Sequence, residues 1–246
     1  MNDTLNLLKS HRSSRSYTDQ PVTDQMLDEI IQAAWRGPTS MNAQEISLVV
    51  VRDAVRRARI AELAGGQPWI AQAPVFITLV IDFNKTRLGV EKTGQQQVIH
   101  ESMEGFGVAA VDAGITLANL MMAARALGLG IVPIGGIRRN PQAMIELLEL
   151  PPLTFPLVGL CIGHIATNAP QKPRMDINTF RHDERYDASR YPTAIDAYDT
   201  TIMEYWNQLG RSDGLTWSQN LGNSLKVVYF PEVRPAAASQ GLTNDK

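Results

Sequence analysis

Apolar positions recur at helical spacing early in the chain: Leu27, Ile30, Ile31, Ala34 and Trp35 follow Thr23 and Asp24, either of which can cap a first turn. The pattern predicts a helix with this stripe, Trp35 included, turned to a core and ended by Gly37-Pro38. Residues 46–51 are a short β-branched run and predict a buried strand. Residues 53–64 return to helix formers, with Arg56, Arg57 and Arg59 expected on a solvated face. A second strand is predicted over 75–81, and the polar stretch from there to about residue 104 reads as a loop or lid bordered by Trp69 and Phe83, either of which could stack on a ligand.

The most apolar segment, 106–129, predicts a long core helix ending at Gly128 and Gly130. Asp112, Asn119 and Arg125 interrupt it, leaving no uncharged apolar run of about 18 residues to span a bilayer. Beyond it the pattern predicts a brief strand at 131–134, a turn at Gly135-Gly136, a helix opened by Asn140-Pro141 and a last core strand over 155–165. A helix over 195–209 and a frayed polar tail from Pro235 complete the chain. Strands separated by helices suggest at first a parallel doubly wound sheet, yet no G-x-G-x-x-G follows any of them. Periodicity alone therefore predicts a layered α and β core and does not choose its topology.

The chain has 246 residues, 44% hydrophobic and 20% charged, enough to bury a sizeable core and far from the composition of disorder. Its 23 basic and 25 acidic residues leave a net charge of -2, which argues against a nucleic-acid binder. One cysteine, Cys161, forms no internal disulfide and lies in an apolar run, where it reads as a small core residue. With no basic and apolar leader at the amino terminus, a cytoplasmic protein without membrane attachment is expected. The four histidines have no metal-ligand spacing, so no metal is expected.

Four segments carry candidate chemistry. His11-Arg12-Ser13-Ser14-Arg15 concentrates two guanidinium forks, an imidazole and hydroxyls, a donor set matched to phosphate oxygens and equally compatible with a solvated basic turn. Lys172-Pro173-Arg174 holds two cations across a stiff proline. The loop from Gly37 to Gln44 is rich in hydroxyls and amides that either build turns or bond heterocycle edges. Pro133-Ile134-Gly135-Gly136 bares backbone at a strand end, where a planar ring can approach or the chain simply turns.

In order and spacing, these segments resemble the nitroreductase family of flavin enzymes, in its branch of oxygen-insensitive NAD(P)H nitroreductases and flavin reductases. The resemblance is carried by His11-Arg12-Ser13-x-Arg15-x-Tyr17-Thr18, Pro38 to Gln44, Gly65-Gly66-Gln67, Leu127 to Gly130, Ile134-Gly135-Gly136 with Arg138, and Gly159 to Gly163 leading to Lys172-Pro173-Arg174. It implies an α+β fold, a mostly antiparallel central sheet flanked by helices, in an intertwined homodimer that binds flavin mononucleotide (FMN) without a covalent link. A single domain over 1–246 is implied, with an extension from about 175 wrapping the partner subunit. By residue, it implies that His11, Arg12, Ser13, Arg15, Lys172 and Arg174 grip the phosphate and the pyrimidine edge. Ser40 and Asn42 would reach the flavin from the partner, and Gln67 with Pro133, Ile134, Gly135 and Gly136 would border the ring.

The activity so implied is a ping-pong transfer of two electrons from NADPH or NADH, as hydride through flavin N5, to nitroaromatics, quinones or related acceptors. Chemistry then resides on the flavin and no catalytic side chain is required. NAD(P)H contacts are implied for Arg15 and for Arg211, the one arginine retained over 205–217. Free FMN as the acceptor, making a flavin reductase, and a flavin-binding carrier or sensor without turnover are the alternatives.

Overall fold

The computed structural model describes residues 2–246, and the chain divides into two compact units. The larger comprises the chain up to Ala169 together with Phe230–Lys246, and the smaller is Pro170–Tyr229. In the larger unit the elements run α1 (Asp3–Lys9), α2 (Asp24–Trp35), β1 (Ile46–Val51), α3 (Ala54–Leu63), α4 (Pro68–Gln72), β2 (Val75–Asp82) and α5 (Phe83–Glu91). They continue with α6 (Met103–Ala126), β3 (Gly130–Ile134), α7 (Pro141–Leu147) and β4 (Thr154–Gly163). The smaller unit holds α8 (Tyr191–Gln208) and α9 (Trp217–Leu225), and α10 (Val233–Ser239) belongs to the larger again.

The four strands form one sheet in the order β1-β2-β4-β3, and every pairing is antiparallel. This replaces the parallel sheet that helix and strand alternation first suggests and agrees with the resemblance. The misleading signal has a physical cause. β2 and β4 are central and covered on both faces, so their sequences are continuous apolar runs of the kind usual in parallel sheets. On one face Phe76, Val132, Ile134 and Cys161 pack with Ile60, Ile70 and Met144 from α3, α4 and α7. On the other, Val75, Ile77, Leu79, Leu160 and Ile162 pack with Leu27 and Ile30 of α2 and Leu120 and Ala124 of α6.

Helix α2 starts where expected, with the Thr23 side chain accepting from the Met26 amide, but Trp35 ends the last turn and is 67% exposed, outside the predicted core. The predicted loop before residue 104 is ordered instead as α5 and a 3-10 turn at Ile99–Glu101. Phe83 at its start is buried against Ile81 and Phe155, a packing residue rather than a ligand contact. Arg56 and Arg59 are solvated as expected, whereas Arg57 is half-buried and donates to the Arg52 carbonyl. The predicted polar tail is also structured: Ala236, Ala237 and Leu242 enter the core cluster of Ile81 and Phe155, and Leu153 N–H donates to the Gln240 carbonyl at 2.8 Å. By composition alone α6 is long and apolar enough to cross a membrane, but it packs along α2, and its Asp112 carboxylate is buried and accepts from a backbone amide.

Candidate active site

The basic segment after α1 is extended, and backbone bonds pin it across the edge of the sheet. Ser14 N–H donates to the Ile131 carbonyl at 2.9 Å, Thr18 N–H to His164 at 2.9 Å, and Ala166 N–H to Ser16 at 3.0 Å. Tyr17 is buried, forms an isolated bridge with Ile165, and donates its hydroxyl to the Ser14 carbonyl at 2.7 Å. Along it Arg12 and Arg15 are exposed while Ser14 and Tyr17 are buried, and His11 and Ser13 are half-buried.

The Arg15 guanidinium lies over the Trp69 indole, 5.4 Å from the ring centroid. Two titratable groups in its field stay neutral: burial pushes the Tyr17 hydroxyl and the Cys161 thiol far up, against the opposing pull of Arg15. Neither therefore cancels the Arg15 charge, which is left for an anion.

Gln67 caps α4, two residues before Trp69, after a turn in which Gly65 and Gly66 both adopt left-handed φ, +92° and +75°. Its Nε2 donates to the Ala64 carbonyl at 2.9 Å, which orients the amide. A Cβ on Gly136 would meet that Nε2 at 2.4 Å and the Ala64 carbonyl oxygen at 2.7 Å, so this approach requires glycine. Gly135–Arg139 is a 3-10 turn directly after β3, and Pro133 is tolerated because β3 is an edge strand. Two distant segments thus meet at α4: Arg15 through Trp69, and the turn after β3 through Gly136 and Gln67.

Ser40 and Asn42 lie elsewhere. They open onto the β1 side, and β1 and β3 are opposite edges of the sheet, about 14 Å apart at the usual strand spacing. Ser40 N–H donates to Asp112 Oδ2 at 2.9 Å, and the loop continues through left-handed φ at Met41 (53°), Asn42 (58°) and Gln44 (55°). Such φ values in non-glycine residues are strained and persist only where neighbours impose them. Here Lys85 Nζ, donating to the Gln44 and Ile46 carbonyls at 2.7 and 3.1 Å, and the Asp112 carboxylate do so. Glu45 is buried beside Asp112, and burial together with that second carboxylate raises its carboxyl above the usual range.

In the smaller unit, Lys172 Nζ and the Arg211 guanidinium lie 5.3 and 4.6 Å from the Trp206 ring centroid. Arg211 is also paired with Asp213 through two bonds of 3.3 Å, which neutralises much of the charge expected to meet a phosphate. Arg174 lines a cavity of about 430 Å³ with Lys172 and Tyr205. Two residues enter that sequence reasoning did not assign. The sequence offers Trp69 as a border of a lid that could stack on a ligand, and Arg125 only as an interruption of an apolar helix. Arg125 lines a cavity of about 290 Å³ together with Arg12 and Ser14. No spacing signal links Arg125 to Arg12; the fold alone brings them together.

The donor set suits a flavin nucleotide: a glycine-lined approach at Gly136, an oriented amide at Gln67, and an uncancelled cation at Arg15 beside them. Comparison with known proteins agrees. Residues 8–164 match the Nitroreductase family, and residues 172–245 match the Nitroreductase family, C-terminal domain. The chain is 43% identical to FMN reductase [NAD(P)H] of Bacillus subtilis over 251 residues, covering 100% of both. It is 36% identical to the oxygen-insensitive NADPH nitroreductase of Salmonella typhimurium, covering 98% of both. The solved structure of B. megaterium NfrA2 is similar with a TM-score of 0.97 at 39% identity, covering 100% of each chain.

Proposed function

This chain belongs to the nitroreductase family, and on that premise we infer an FMN-dependent NAD(P)H oxidoreductase that passes electrons to small-molecule acceptors. The observation that carries the reading is the seat where Gln67 lies against Gly136 and the Arg15 guanidinium against Trp69. When bound, FMN supplies the redox chemistry, taking two electrons from reduced nicotinamide and delivering them to the acceptor.

The chain's own residues supply position and charge. Gln67, held by Ala64 and packed closely against Gly136, presents a fixed amide edge, and the Pro133 to Gly136 backbone is proposed to border the ring with it. Arg15 would hold positive charge beside the bound flavin, and it is proposed to contact NAD(P)H as well. We assign His11, Arg12 and Ser13 to the phosphate, and Lys172 and Arg174 to the same anion on their donor chemistry. Both nicotinamides are accepted as co-substrates in this reading, because Asp213 already meets the Arg211 charge and blunts any preference for a 2′-phosphate.

A second copy completes the site in this proposal. Ser40 and Asn42 occupy the sheet edge opposite the seat, so within one chain they do not reach it. Helix α6 meanwhile leaves Met103, Gly107, Val111, Gly114 and Ala118 exposed along one stripe, and nothing lies within 4 Å of a Cβ on Gly107 or Gly114. Met41, at the tip of the strained loop, is 97% exposed. An apolar helix face and an exposed methionine beside the two displaced site residues fit a homodimer. The extension from about residue 175 is proposed to wrap the partner. Cys161, buried and unpaired, fits a reducing cytoplasm.

Free flavin stands beside nitroaromatics and quinones as an acceptor, since the relative at 43% identity is an FMN reductase. The test is anaerobic: NADPH or NADH bleaches the yellow protein, and a nitroaromatic, a quinone or free FMN restores the colour. Failure to bleach with either nicotinamide would leave a flavin carrier and overturn the enzymatic reading.

A further inference from the structure

Arg12 and Arg125 come from segments 113 positions apart, yet both line one cavity of about 290 Å³ with Ser10, Ser14, Gly130 and Asn168. The cavity lies at the lower limit of the roughly 300–1,000 Å³ that encloses a whole organic ligand, a size that suits a small end group. Two like charges are held together here without visible compensation. Among the described residues no carboxylate lines the cavity, and neither guanidinium has an acidic partner, whereas Arg52, Arg56, Arg59, Arg87, Arg181 and Arg211 each do. Arg125 is half-buried and its pKa is lowered, first by that burial and then by the Arg12 charge, so the two repel.

The geometry is built rather than incidental. Arg125 Nη2 donates to Ser10 Oγ at 3.0 Å, and that hydroxyl donates to the Leu7 carbonyl at 3.1 Å, which aims the guanidinium at the cavity. Gly130 lets the basic segment close down, because a Cβ there would strike Ser14 Oγ and Cβ at 2.8 Å and Ile165 Cγ1 at 2.5 Å. Two guanidinium charges match a phosphate monoester, which carries about -1.5 to -2 at neutral pH.

We propose that Arg125 joins Arg12 in this cavity to bind the terminal phosphate of the flavin nucleotide. The inference rests on the FMN reading and extends it to a residue of α6 that the motif-bearing segments do not include. Binding is read by diluting flavin-loaded protein and following the recovery of free-flavin fluorescence, with FMN and with riboflavin, which lacks the phosphate. Arg125→Ala is expected to raise the Kd for FMN about tenfold or more and leave riboflavin unchanged, with Arg125→Lys between wild type and Ala. An unchanged FMN Kd overturns the proposal, as does an equal loss for both flavins, which would mean a general defect in the fold. A wild-type protein that retains neither flavin would instead remove the FMN reading itself.

Discussion

At the scale of single residues, the seat depends on an absence. Gly136 carries no Cβ where the Gln67 amide and the Ala64 carbonyl converge, and the amide is oriented only because it can approach that closely. Gly136→Ala must move either a flexible amide or a fixed carbonyl. The expected cost is about 1–3 kcal/mol, the range for inserting a methyl into a packed contact. For a chain of this size that lowers Tm by several degrees, on the order of 2–4 °C per kcal/mol. Calorimetry should record the fall, and FMN should stabilise the variant less than the wild type because the Gln67 edge has moved. The glycine pair was visible in the sequence as a turn or a ring approach. Which of the two it is depends on Gln67, 69 positions earlier, and no local pattern encodes that distance.

Among the elements, the loop between α2 and β1 stores the most conformational strain, with three left-handed non-glycine residues within four positions. It is held by α6 through Asp112 and by α5 through Lys85. Glu45 sits at its end, facing Asp112 on one side and the Lys85 ammonium on the other, and its carboxyl is raised by burial first and by Asp112 next. A carboxyl raised in the folded state binds its proton more tightly there than when unfolded. Its contribution to stability is full below the unfolded pKa, about 4.3 for a glutamate, and is lost as pH rises through the higher folded value. Glu45→Gln, which mimics the protonated form, is therefore expected to stabilise the protein at pH 7 and to match wild type near pH 4. Thermal melts across that range test this, and a constant difference at all pH values would exclude titration of Glu45 as the cause.

Across the whole molecule, the proposed homodimer rests on the separation of Ser40 and Asn42 from the Gln67 seat. Val111 lies in the middle of the exposed α6 stripe and is 62% exposed, so a charge there perturbs the monomer little while desolvating at great cost in an interface. Val111→Glu is expected to shift the species in multi-angle light scattering from twice the chain mass to one, and to release FMN. A dimer that persists with full flavin would place the interface elsewhere.

Much of the molecule was legible from the chain alone. β1 over Ile46–Val51, the Thr23 cap of α2 and the Asn140-Pro141 start of α7 follow from local periodicity and capping chemistry. The order of the basic, amide-rich and glycine-rich segments was sufficient to reach the family. What tertiary structure decided has the common feature of being non-local. The antiparallel order β1-β2-β4-β3 was obscured because strands buried on both faces lose their alternation. Helix α10 reads as a tail because its Val-Arg-Pro-Ala-Ala-Ala-Ser sequence is weakly patterned, and only packing against Ile81 and Phe155 makes burying its alanines favourable. The pairing of Arg12 with Arg125 is of the same kind. Sequence determines which residues can carry charge, turn or pack, because those properties are local. Which charges face the same few ångströms of space is set by how β3, α6 and the first segment close on one another.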